Sequence, residues 1–197
     1  IYLLVDIYAW TAESEYALQQ LPWSFVSTHI TSLDSNDDGR RDLAIGSQSV
    51  GDNHQLWMNL PVTGQFGSRF HAVDEGATFG LDSGRYARGL AAADFDGDGD
   101  HDIALGRPPA DLPTGRYYAA REQQERMANN WLGLDLVDAN SPHRSPIGAR
   151  VEVRNWDTLE LVGLAQVDGG SGRGSQQQRR FHFGLGGHDQ DLRIHVR

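Results

Sequence analysis

Cysteine and lysine are both absent from the 197 residues. Without cysteine there is no disulfide framework, zinc–thiolate site, iron–sulfur cluster or CxxCH haem attachment. Without lysine there is no P-loop lysine and no Schiff base. All 17 basic residues are arginine, set against 20 Asp and 7 Glu, and the formal net charge is −10. That balance argues against nucleic-acid binding, which needs a basic surface to displace counterions. Long apolar runs are missing as well. The longest, Ile1 to Val5, falls far short of the ~18 residues that suggest a membrane span. There is no secretory leader and no initiator Met, so the chain is expected to begin inside a longer gene product. No G-x-S-x-G nucleophile elbow, HExxH motif or Asn-x-Ser/Thr sequon occurs.

What is present is aspartate, and it is concentrated. Nine of the 20 Asp lie in two windows: Asp34, Asp37, Asp38 and Asp42, then Asp94, Asp96, Asp98, Asp100 and Asp102. Without those nine the chain would be almost neutral. The windows form an internal repeat. ITSLDSNDDGRRDLAIG (Ile30 to Gly46) aligns without gaps on LAAADFDGDGDHDIALG (Leu90 to Gly106), at an offset of 60 residues. Each reads as an alternating strand, an acidic turn and a second alternating strand. A period of ~60 residues suits one four-stranded propeller blade with its connections. Leu56 to Asn59 is expected as a later strand of that blade, with Phe66 beyond a turn. Tyr16 to Leu21 and Trp23 to Val26 are expected to belong to a preceding blade, and Ile1 to Val5 to follow a missing acidic loop.

The loops share the pattern D-x-[DN]-x-D-G-x-x-D. Asp34, Asn36, Asp38 and Asp42 hold positions one, three, five and nine of the first, and Asp94, Asp96, Asp98 and Asp102 those of the second. Oxygen ligands two residues apart in a tight turn converge on one centre, and Gly39 or Gly99 at position six permits the bend. The position-seven carbonyls, of Arg40 and Asp100, can complete the shell. This is Ca²⁺ chemistry, with six to eight oxygens per ion, and it predicts two sites. An EF-hand is excluded because position twelve is Ile45 or Leu105 rather than Glu. With four side-chain carboxylates against three and an amide, the second loop is expected to bind more tightly.

From about Asn129 the pattern changes. Trp131 to Val137, Arg150 to Arg154, Leu159 to Val167, Arg180 to Leu185 and Leu192 to Val196 alternate like strands, which suggests a small antiparallel sandwich or barrel. Arg121 to Ala128 has helix-favouring composition and reads as a connector. The expected fold is therefore all-β: propeller-type blades over 1–120, a connector over 121–128 and a β-sandwich-like domain over 129–197.

These residues carry a resemblance. The acidic loops with their LAIG and IALG strands resemble the FG-GAP/VCBS repeats of integrin-α-like propellers. NNWLGLDL (Asn129 to Leu136), IGARVEV (Ile147 to Val153), GGSGRGSQ (Gly169 to Gln176) and FHFGLG (Phe181 to Gly186) resemble the ASPIC/UnbV domain. The combination is similar to the cartilage-acidic-protein family. The resemblance implies a secreted or surface-exposed, Ca²⁺-stabilised protein of adhesion or assembly, extracellular or periplasmic, without catalysis. It implies a protein partner, or self-association through blade edges, because only two blades and part of a third are visible where a propeller needs four to eight. A carbohydrate-binding module and an accessory subunit of an enzyme complex remain as alternatives.

Other residues read more plainly. The five Trp are expected to pack in or against the core. His182 and His195 read as ordinary sheet-face residues, and His101 at position eight should point away from the ion. Gly169 to Ser175 is expected to be a flexible hairpin loop, and Arg40 and Arg41 to pair locally with Asp37 and Asp38.

Overall fold

A computed structural model describes residues 6–10, 16–20, 27–47, 54–61, 68–71, 89–106, 118–120, 129–137, 146–170 and 180–197. Every regular element among them is a β-strand, and the sheets do not close into a barrel. β1 (Asp6–Trp10) pairs with β2 (Tyr16–Gln20). β3 (Ser27–Leu33), β4 (Asp42–Ser47), β5 (Gln55–Pro61) and β6 (Ser68–His71) form a four-stranded antiparallel meander. That is one whole blade, of the size the 60-residue period requires. β7 (Gly89–Ala93), β8 (Asp102–Gly106) and β9 (Tyr118–Ala120) form the next sheet.

The register explains the core between the two sheets. Pairing Thr31 with Ala44, and Ala44 with Leu56, puts Leu33, Ala44, Leu56 and Met58 on one face. Pairing Leu90 with Leu105, and Ala92 with Ile103, does the same for the second sheet. These eight buried side chains pack together, with Leu60 at their margin. Full burial of a Leu or Ile contributes roughly 1.5–3 kcal/mol, so Leu33, Leu56 and Ile103 alone hold the sheets firmly together. The two acidic loops join β3 to β4 and β7 to β8, and both therefore emerge at the same end of neighbouring sheets.

The C-terminal part is built from two sheets. β10 (Asn130–Leu134) pairs with β13 (Phe181–Gly186), while β11 (Arg150–Asn155) lies between β12 (Leu161–Gln166) and β14 (Leu192–Val196). Val151, Val153, Val167, Phe181 and Phe183 form their shared core. Of the expected segments, Ile1 to Val5, Trp23 to Val26, Phe66 and Arg121 to Ala128 lie outside the described residues, as does most of Gly169 to Ser175. β1, β6 and β9 are additional to the expected strands.

Candidate metal centre

Both loops fold by the same bonds. The position-nine carboxylate accepts the backbone N–H of position two: Asp42 from Ser35 and Asp102 from Phe95, each at 2.9 Å. The position-five carboxylate accepts the N–H of position seven, Asp38 from Arg40 at 2.8 Å and Asp98 from Asp100 at 3.1 Å. Position one accepts from the turn itself: Asp34 from Asp38 (3.1 Å) and Gly39 (2.9 Å), and Asp94 from Gly97 (2.7 Å). Gly39 and Gly99 at position six have φ of 84° and 101°, in the left-handed region glycine tolerates best. Position four is left-handed too, filled by Gly97 (φ 79°) in one loop and by Asp37 (φ 56°) in the other. That second kink is invisible in the D-x-[DN]-x-D-G pattern, although Gly97 standing opposite Asp37 hints at it.

The loops differ in what their carboxylates do. In the second, Asp94, Asp96 and Asp102 each bring an oxygen within 4.8 Å of the other two, a set able to hold a cation. Asp98 is not part of that convergence. Among the described residues no such three-carboxylate group forms in the first loop. There Asp38 is ion-paired with Arg40, whose Nε also donates to the Asn59 carbonyl at 2.7 Å. Asn36 Nδ2 donates to Asp38. Asp42 is wholly buried, accepting from Ser35 through N–H and hydroxyl and from the Asn59 N–H at 2.8 Å. It thus ties the loop to both β4 and β5. Burial, with repulsion from Asp38 next, pushes the Asp34 carboxyl up to about 7 against the Gly39 N–H bond. Burial raises Asp42 as well, while its bonds from Ser35 and Asn59 oppose the shift. An anionic first loop is therefore costly until something positive offsets it.

The C-terminal sheet covers this acidic end. Alternation along β13 sends Phe181 and Phe183 into their own core and leaves His182 and Gly184 on the opposite face, against the first loop. The Gly186 N–H donates to the Asp37 carbonyl at 2.7 Å. Asn129 Nδ2 donates to the Asn36 carbonyl at 2.7 Å. A Cβ on Gly184 would fall 2.1 Å from Asp34 Oδ2, and one on Gly99 would fall 2.2 Å from the Trp131 ring. His182, buried rather than displayed on an open sheet face, bonds Asp37 through Nε2. Trp131 stacks on it at 5.5 Å. His101 points away from its own loop, with Nδ1 3.0 Å from the Asp34 carbonyl of the other. Burial, His182 and Arg41 push its pKa down to about 3, so it is neutral.

Two family models match the chain. An FG-GAP repeat covers residues 86–121, and an ASPIC and UnbV domain covers 139–197. The chain joins an FG-GAP repeat to an ASPIC/UnbV domain. The FG-GAP match contains β7, the second acidic loop, β8 and β9. The ASPIC/UnbV match contains β11 to β14, and β10 joins it by pairing with β13. The two domain types suggest an extracellular adhesion-type module, and FG-GAP repeats are typical of extracellular proteins. Among the described residues no helix is long and apolar enough to cross a membrane. No curated protein matches the chain.

Proposed function

We propose that the protein is a Ca²⁺-stabilised, non-enzymatic adhesion or assembly module acting outside the cytoplasm. The observation that carries this reading is the convergence of Asp94, Asp96 and Asp102 in a turn between two strands. Their hard oxygens suit Ca²⁺, with Asp98 and the Asp100 carbonyl as further donors. In the first loop Asp34, Asn36, Asp38, Asp42 and the Arg40 carbonyl would serve a second ion, for which Asp38 must release Arg40. The ions would hold the acidic end rigid, and β6 and β9, sheet edges among the described residues, would pair with a protein partner or a second copy.

Chelation tests this directly. At a hundredfold excess of Ca²⁺ over Kd, one site stabilises by about 2.7 kcal/mol, which moves the Tm of a chain this size by roughly 5–10 °C. Excess EDTA should therefore lower the melting temperature by at least that much, and an unchanged Tm overturns the proposal. Glycan recognition has less support. Trp57 is buried, and Trp131, although 39% exposed, lies against Gly99; Trp156 is 51% exposed and its ring carries the Arg193 guanidinium at 4.6 Å.

A further inference from the structure

We propose that Asp37, His101 and His182 form a separate site for a Zn²⁺-class transition metal, at the seam between the two acidic loops and the ASPIC/UnbV domain. The three come from three different segments: the first loop, the second loop and β13. One ligand atom from each lies within 4.8 Å of the others, and all three side chains are buried, at 5%, 7% and 7% exposure. None belongs to the alternating positions that would bind Ca²⁺. Two imidazoles and one carboxylate are a poor match for a hard ion and a good one for Zn²⁺, which takes three such protein ligands and a water where its fourth position stays open.

The surroundings fit a ligand set. A carbonyl can only accept, so His101 carries its proton on Nδ1, donated to Asp34, and its Nε2 holds the lone pair a metal needs. Trp131 fixes the His182 ring by stacking, and His182 Nε2 donates its proton to the Asp37 carboxylate, a single proton that a metal would displace to solvent on taking both atoms as ligands. The two imidazoles meet edge to face at 4.3 Å between centroids. A metal here would fasten both loops to the C-terminal domain, a role distinct from shaping either loop.

The test is calorimetric titration of the full chain with Zn²⁺ in saturating Ca²⁺, with Co²⁺ as a spectroscopic substitute. One Zn²⁺ per chain is expected, with the intense visible bands of tetrahedral Co²⁺. H101Q and H182Q should each weaken binding by at least about tenfold. H195Q, altering an exposed residue of β14, should not. Since the two glutamine variants could loosen the seam, ring ¹⁵N shifts of His101 and His182 in the unmodified protein give a second readout. Absence of Zn²⁺ uptake, uptake indifferent to both variants, or unshifted rings on loading would each overturn the proposal.

Discussion

Asp34 is almost fully buried beside Asp38, and its carboxyl is raised to about 7. In the unfolded chain it would titrate near the ordinary 3.8. Between those two values the folded form holds a proton that the unfolded form has lost, so this residue makes the cation-free protein less stable as pH rises from about 4 to about 7. His101 acts in the opposite sense, because its lowered pKa costs stability on acidification below about 6.5. Comparison with Asp34→Asn separates the two. In EDTA, the melting temperature of the variant should rise relative to wild type between pH 4 and pH 8, by an amount worth a few kcal/mol. In saturating Ca²⁺ the trend should vanish, since the cation replaces the proton. A pH-independent difference in EDTA would contradict the assignment. Gly184 is a steric case at the same scale. Gly184→Ala places a methyl within 2.1 Å of Asp34 Oδ2 and 2.6 Å of the Asp37 backbone, and overpacking of this kind costs roughly 1–3 kcal/mol. Gly187→Ala, with nothing within 4 Å, should stay within about 0.5 kcal/mol of wild type in urea unfolding.

At the scale of elements, two loops with one pattern are not equivalent. The second gathers three carboxylates, while the first has Asp38 held by Arg40. Releasing Arg40 competes with ion binding, so the second loop should bind Ca²⁺ several-fold more tightly. Calorimetry of Asp34→Ala and Asp94→Ala, each leaving one loop intact, measures the gap, and Arg40→Ala should narrow it. Equal affinities in the first two variants would refute the ranking. These loops and the strands beside them were legible because ligand spacing and two-residue alternation are local signals. Leu192 to Val196 could be read to the residue for the same reason. The strands YAA and SRFH were not, being short and without apolar alternation. The role of His182 was hidden for a different reason. Its partner Asp37 is 145 positions away, and FHFG alternates like any sheet with one apolar face. Only the tertiary contact shows that its other face meets an acidic loop. Gly184 likewise shows no φ above zero, so its requirement is one of space and leaves no turn signature.

For the molecule as a whole, the ASPIC/UnbV domain sits on the proposed ion-binding end of the blades, and loop shape and domain docking are therefore one equilibrium. Gly186, Asn129 and His101 bond the carbonyls of Asp37, Asn36 and Asp34 in turn, holding the first half of the first loop in its bent form. A loop already bent spends less conformational entropy on gathering its ligands. Docking should then raise Ca²⁺ affinity, and by linkage Ca²⁺ should strengthen docking by the same factor. Asn129→Ala, which removes a docking bond to the Asn36 carbonyl and leaves every proposed ligand side chain in place, should weaken Ca²⁺ binding at the first loop by about fivefold, the lower end of the usual range of such coupling. In the wild type, EDTA should reduce amide-exchange protection of β10 and β13 more than that of β11, whose partners β12 and β14 lie within its own sheet. Unchanged affinity in Asn129→Ala would show that the loops set their own geometry. Equal loss of protection across β10, β11 and β13 would mean that chelation unfolds the domain and does not release it.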